Sequence, residues 1–174
     1  MLAKMEREKF DAWQTELLGR ACIEHVQQQV QGKSRQVKME VYKELTAGQR
    51  ALFMFHVLHD HAHPSVAEFV SWIAYTLDHF SYWIGIQAGL RYFEQEDILH
   101  LLEEMKVVLE ERNQRLGIQM SQISVLDLEE DPSLKEEASR LYQRYQELSE
   151  GTLLRIGRTI RSNPGEFVTL CDGA

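Results

Sequence analysis

The chain is poor in the features that announce a reaction or a cofactor. Its two cysteines, Cys22 and Cys171, lie near opposite ends with no C-x-x-C spacing, which fits a reducing cytoplasm better than a disulfide framework or a zinc ribbon. There is no G-x-S-x-G, no G-x-x-x-x-G-K-[ST] and no G-x-G-x-x-G, so neither a nucleophile elbow nor a phosphate-cradling loop is expected. Lys33, Arg35 and Lys38 form the nearest thing to a basic cluster. A net charge of -8 therefore argues against direct nucleic-acid binding, which needs a concentrated Lys/Arg excess. The opening MLAKMEREKF lacks the apolar core of a secretory signal. The longest apolar stretch, Val66 to Leu90, is interrupted by Glu68, Asp78 and His79, so no membrane span is expected. Prolines number three, and no alternating apolar pattern runs beyond a few residues, which leaves helix as the prevailing structure.

What is present is helical punctuation. Thr46 with Gln49 three residues later makes a capping box, and TAGQRALFMFHVLHDHAHPS then carries apolar side chains around most of a helical circumference. A helix of that kind lies inside a bundle, and His63-Pro64 ends it. The spacing predicts a long first helix over about 3–31 closed by Gly32, a polar connector to Lys38, and a short helical turn carrying Met39, Tyr42 and Leu45. The buried central helix follows at 46–62. Ser65 with Glu68 caps a further helix, a bend falls at 78–81, and 82–93 continues as helix, with Gly85 and Gly89 permitting a close crossing. Asp97 to Arg112 is amphipathic. Gln114 to Asp131 reads as the longest loop, and Asp131-Pro132 starts a helix that Gly151 is expected to interrupt and Asn163-Pro164 to end, with a last turn at 166–170. The expected fold is a single all-α domain, a bundle of six to eight helices, with residues 1–38 as N-terminal helix and connector and 39–174 as the core bundle.

Three groups of residues are candidates for function. Glu103, Glu104, Glu110 and Glu111 fall on the outer side of the amphipathic helix, with Glu94, Glu96 and Asp97 before them, and form an acidic face suited to a basic protein partner. His56, Asp60 and His63 stand at i, i+4, i+7, which a continuous helix places on one side, with His79 or Glu68 as a fourth ligand; first-row transition metals take such sets in helical bundles. The plainer account is a helix end whose histidines meet carbonyls and solvent, because neither H-E-x-x-H nor a repeated Glu-x-x-His is present. Trp72, Tyr75, Phe80, Tyr82, Trp83, Tyr92 and Phe93 concentrate aromatics in one segment, as core or as the lining of a ligand pocket.

Four stretches, LTAGQRALFMFHVL (45–58), VAEFV (66–70), GLRYFEQEDILHLLEEMKVVLE (89–110) and RTIRSNPGEFV (158–168), resemble the all-helical DNA-mimic-protein-like domain, a family largely of unknown function, over about residues 40–170. That family opens a helix near L-[ST]-x-x-Q-R and closes with Y-I-x-x-[NH]-P-x-x-F. Its Asn-Gly-Gly turn is here His63-Pro64-Ser65. The resemblance implies an acidic dimer whose surface occupies a DNA-binding regulator, and structural roles for Phe69, Pro164 and Phe167. Together the two lines give a non-enzymatic, homodimeric interaction protein of the cytoplasm that needs no cofactor and meets a basic protein through Glu103, Glu104, Glu110 and Glu111. The alternative from another class is a metal-dependent helical-bundle protein, a hydrolase or metal sensor holding a divalent transition metal through His56, Asp60 and His63.

Overall fold

A computed structural model describes residues 2–172, so Met1, Gly173 and Ala174 of the expected 1–174 domain lie outside it. The described residues hold nine α-helices, seven of them of ten residues or more, and one two-stranded sheet. In chain order these are β1 (Ala3–Glu6), α1 (Arg7–Ala12), α2 (Thr15–Val30), α3 (Arg35–Glu44), α4 (Ala47–Ala62), α5 (Val66–Asp78), α6 (Phe80–Tyr92), α7 (Glu96–Leu116), α8 (Asp127–Glu130), α9 (Pro132–Ser162) and β2 (Val168–Cys171). The fold is all-α, and among the described residues no helix is long and apolar enough to cross a membrane.

The central helix forms as its sequence predicts. Thr46 Oγ accepts from the Gln49 N–H while Gln49 Oε1 accepts from the Thr46 N–H, so two donors that a helix start leaves open are satisfied reciprocally. Leu52, Phe55, Leu58 and Ala62 of α4 are buried, and α5 and α6 lie against it, with Phe69, Ile73, Ile86 and Leu90 filling the space between. Gly89 allows α6 to approach closely, since a Cβ there would stand 2.8 Å from the Ala51 carbonyl oxygen. The helix α9 runs along both α2 and α7. Gly157 makes the tightest crossing, where a Cβ would lie 1.9 Å from the Thr15 carbonyl oxygen.

Two motifs far apart in sequence meet at the start of α4. Thr46 Oγ donates to the Glu166 carbonyl, the Gly48 N–H donates to the Glu166 carboxylate, and Gln49 Nε2 donates to the Phe167 carbonyl. The Phe167 ring is fully buried, and a Cβ on Gly48 would sit 2.8 Å from it. LTAGQR and NPGEFV are thus two halves of one structural joint, with a carboxylate at the positive end of a helix.

Several expectations give way to tertiary contacts. The single helix over 3–31 is divided: residues 3–6 form β1, and the chain turns extended at Trp13 and Gln14 between α1 and α2. Arg161 of α9 donates to the Trp13 carbonyl at 2.6 Å and lies over the Phe10 ring, so a distant helix holds the break open. The expected last turn at 166–170 is a 3-10 turn at 164–166 followed by β2, which pairs in parallel with β1, Ala3 opposite Val168 and Glu6 opposite Cys171. Gly151 does not interrupt α9, which runs unbroken for 31 residues. One exposed glycine costs about 1 kcal/mol against alanine, and the burial of Tyr145, Thr152 and Ile156 on either side outweighs it. The short turn at 39–45 is a ten-residue helix that begins inside the expected connector, with Ser34 as its N-cap. The 114–131 loop contains a 3-10 turn and α8. Buried Arg112 fastens it, donating to Asp127 at 2.5 Å and Asp131 at 2.9 Å.

Candidate ligand groove

A groove of 690 Å³ lies between the C-terminal half of α2 and helices α3, α4, α5 and α6. Gly32, at φ +68°, reverses the chain after α2 at a conformation other residues adopt with strain, and α3 then runs back along the groove. Arg35, Lys38, Met39, Tyr42 and Lys43 line it, the i, i+3, i+4, i+7, i+8 set of one helical side; Glu40 falls on the other. Arg50 of α4 holds the end of α3, donating to the Tyr42 and Lys43 carbonyls and lying over the Tyr42 ring. Yet α3 contributes no fully buried residue, and Met39 is 51% exposed.

The floor comes from α4, where Phe53, Met54, Val57, Asp60 and His61 stand at i, i+1, i+4, i+7, i+8 on one helical side, and the far wall from Trp72, Tyr75, Ser81, Tyr82 and Gly85. His61, Trp72, Tyr75 and His79 stack in a column with ring centroids 4.0, 4.9 and 4.1 Å apart. The Trp72 indole N–H is buried with no hydrogen-bond partner. Asp60, in the groove lining, accepts two hydrogen bonds from Arg20 and one from Gln27. Burial alone would raise the Asp60 carboxyl, but the Arg20 hydrogen bonds and charge outweigh it and hold it below the usual range.

The proposed metal ligands are placed in different surroundings. His56 is 1% exposed, and neither ring nitrogen has a hydrogen-bond partner; its Nε2 faces α2 at Gly19. Burial, then the Arg20 charge, pushes its pKa down to about 3. His59, absent from the expected ligand set, is pushed down to about 4 by burial and then by His63, whose ring lies 4.6 Å away. Asp60 is committed to Arg20, and the His63 carbonyl accepts from the Tyr142 hydroxyl. Glu68 and His79 stand near opposite ends of α5, about 16 Å apart at 1.5 Å per residue. Among the described residues no group of three or more His, Cys, Asp or Glu side chains is arranged to hold a metal ion.

The acidic residues of α7 are only half available. Glu103 accepts from Gln87 at 2.7 Å and pairs with Lys106, and Glu104 pairs with Arg144 at 3.2 Å and Arg140 at 3.6 Å. Glu110 and Glu111 are exposed and form no ion pair among the described residues. Exposed Val107 lies between the two acidic rows.

No family model, curated protein or solved structure matches this chain. The stretches that carry the resemblance to the DNA-mimic-like domain are accounted for by packing: Phe69 and Phe167 are fully buried, and the helix-opening and closing motifs bind each other. Sequence reasoning divided the aromatics only loosely. Trp83 and Phe93 are core, Trp72, Tyr75 and Tyr82 line the groove, and Phe80 is 67% exposed outside it. It missed α3 as a wall, although the basic and aromatic residues there already keep helical spacing.

Proposed function

We propose that this protein is a non-enzymatic binding domain whose recognition surface is the aromatic groove beneath α3. The observation that carries the reading is the column of stacked rings beside a wall helix with no buried residue, in a concavity within the roughly 300–1,000 Å³ range of small-ligand sites. Nothing in the groove pairs a nucleophile with a base, which favours binding over turnover.

The acidic side of α7 belongs to the proposal as a second surface, for a basic protein, because Glu110 and Glu111 stand free on either side of exposed Val107. Phe80 and Ile84, exposed one turn apart on α6, favour the homodimer, to be read by sedimentation of the native chain against a Phe80→Ser, Ile84→Ser variant. A cytoplasmic setting and the similarity in motif to DNA-mimic-like proteins remain compatible with both surfaces. The metal-sensor alternative requires Asp60 to leave Arg20.

The groove is tested by titration with the neutral dye N-phenyl-1-naphthylamine, followed by its fluorescence. Native protein should bind saturably, and Val57→Trp or Ser81→Trp, each of which fills the groove, should weaken binding by about tenfold or more, equivalent to 1.4 kcal/mol, with the far-UV spectrum unchanged. Equal binding by native protein and both variants would reject the groove as the site.

A further inference from the structure

Resting on the groove reading, we infer that the occupant is a small aromatic anion, a ring system bearing one carboxylate or sulfonate, which the ring column holds by its body and the basic side of α3 by its charge. The chain carries a net charge of -8, so a neutral or acidic groove would be the unremarkable outcome. The sign found is the opposite. Arg35, Lys38 and Lys43 all face the groove, and none of them forms an ion pair among the described residues. The one carboxylate that lines it, Asp60, is already neutralised by Arg20. The groove therefore presents three uncompensated positive charges along one wall. Glu40 lies on the other side of α3, so the segregation is built into the helix.

The opposite wall fixes the body of the ligand. Trp72 is stacked between His61 and Tyr75, and a flat ring prolongs such a column more favourably than a flexible chain, because no rotamer freedom is lost on stacking. The buried indole N–H of Trp72 lacks an acceptor, and a buried unmade donor is costly. Size favours a small molecule over a protein segment, since 690 Å³ lies within the roughly 300–1,000 Å³ of small-ligand sites.

Two dyes that share a naphthylamine body and differ in charge separate this inference from the groove reading itself. The anionic 1-anilinonaphthalene-8-sulfonate should bind native protein at least about tenfold more tightly than neutral N-phenyl-1-naphthylamine. The double change Lys38→Glu, Lys43→Glu should weaken the anion by about tenfold and leave the neutral dye within about twofold. In ¹H–¹⁵N spectra the anion should move the indole resonance that disappears in Trp72→Phe, leaving those of Trp13 and Trp83 in place. If both dyes bind equally, are blocked by Val57→Trp, and ignore the charge reversal, the anion assignment is overturned while the groove stands. If neither Val57→Trp nor Ser81→Trp affects either dye, both readings fall. Binding of an acidic amphipathic peptide in preference to the anionic dye would overturn the small-molecule assignment.

Discussion

Acid should destabilise this protein through His56 more than through any other histidine. The imidazole is 1% exposed with both nitrogens unpartnered. The groups that act on it are Arg20 from α2 and His59 and Asp60 from its own helix. Arg20 and burial disfavour the imidazolium; Asp60 favours it, but is already engaged. The folded pKa, pushed down to about 3, lies below the ordinary 6.5. The unfolded state therefore binds the proton first as pH falls, so stability is intact above about pH 6.5, declines below it, and levels off near pH 3. Between those two pKa values, the free-energy difference at pH 5 relative to pH 7.5 is about 2 kcal/mol. For a chain of this size that is about 4–8 °C in Tm. The assay is urea denaturation followed by circular dichroism at both pH values, for native protein and His56→Leu. Carboxylates titrate in both proteins, so the informative quantity is the difference between their pH dependences, expected at about 2 kcal/mol with the leucine variant the flatter. An identical pH dependence in the two would refute the buried, neutral imidazole.

Other perturbations follow from single contacts. Gly157→Ala should cost at least about 2 kcal/mol, because its Cβ would overlap the Thr15 carbonyl and α2 or α9 must move; Gly151→Ala, which meets nothing within 4 Å, should stabilise by about 0.5–1 kcal/mol, both read from denaturation midpoints. Arg112→Ala should cost about 2–3 kcal/mol by removing charge-assisted bonds to Asp127 and Asp131, and should speed proteolysis within 118–131. Untagged protein purified without chelator should carry less than about a tenth of an equivalent of zinc, iron, manganese or nickel, by elemental analysis; stoichiometric metal lost in His56→Ala, His63→Ala would restore the metal reading.

The sequence revealed most where the signal is local. Thr46 and Gln49, Ser65 and Glu68, and Asp131-Pro132 mark helix starts through side chains that bond their own backbone within three residues. Gly89 was legible as a close crossing because a residue without a Cβ inside a helix lets another backbone approach. What stayed hidden is made by partners far along the chain. Trp13 and Gln14 carry no breaker of their own, and the break is held by Arg161. Four residues of alternation, Ala3 to Glu6, are too few to read as a strand without β2 beside them. The acidic row was visible at helical spacing, but the partners of Glu104, Arg140 and Arg144, lie on another helix. The histidines were visible as potential ligands, whereas the burial of His56 and the capture of Asp60 by Arg20 are tertiary facts. The groove is the same kind of object: each wall shows its periodicity, and only the fold sets α3 against α4, α5 and α6.

Mapping bound 1-anilinonaphthalene-8-sulfonate on the native chain by ¹H–¹⁵N chemical-shift perturbation tests the central claim most directly, since the groove and the acidic side of α7 are separate surfaces. The account predicts saturable shifts concentrated in residues 27–43, 53–61 and 72–85, including the Trp72 indole, with residues 103–111 unmoved. Shifts centred on 103–111, or spread over the whole chain without saturation, would contradict it.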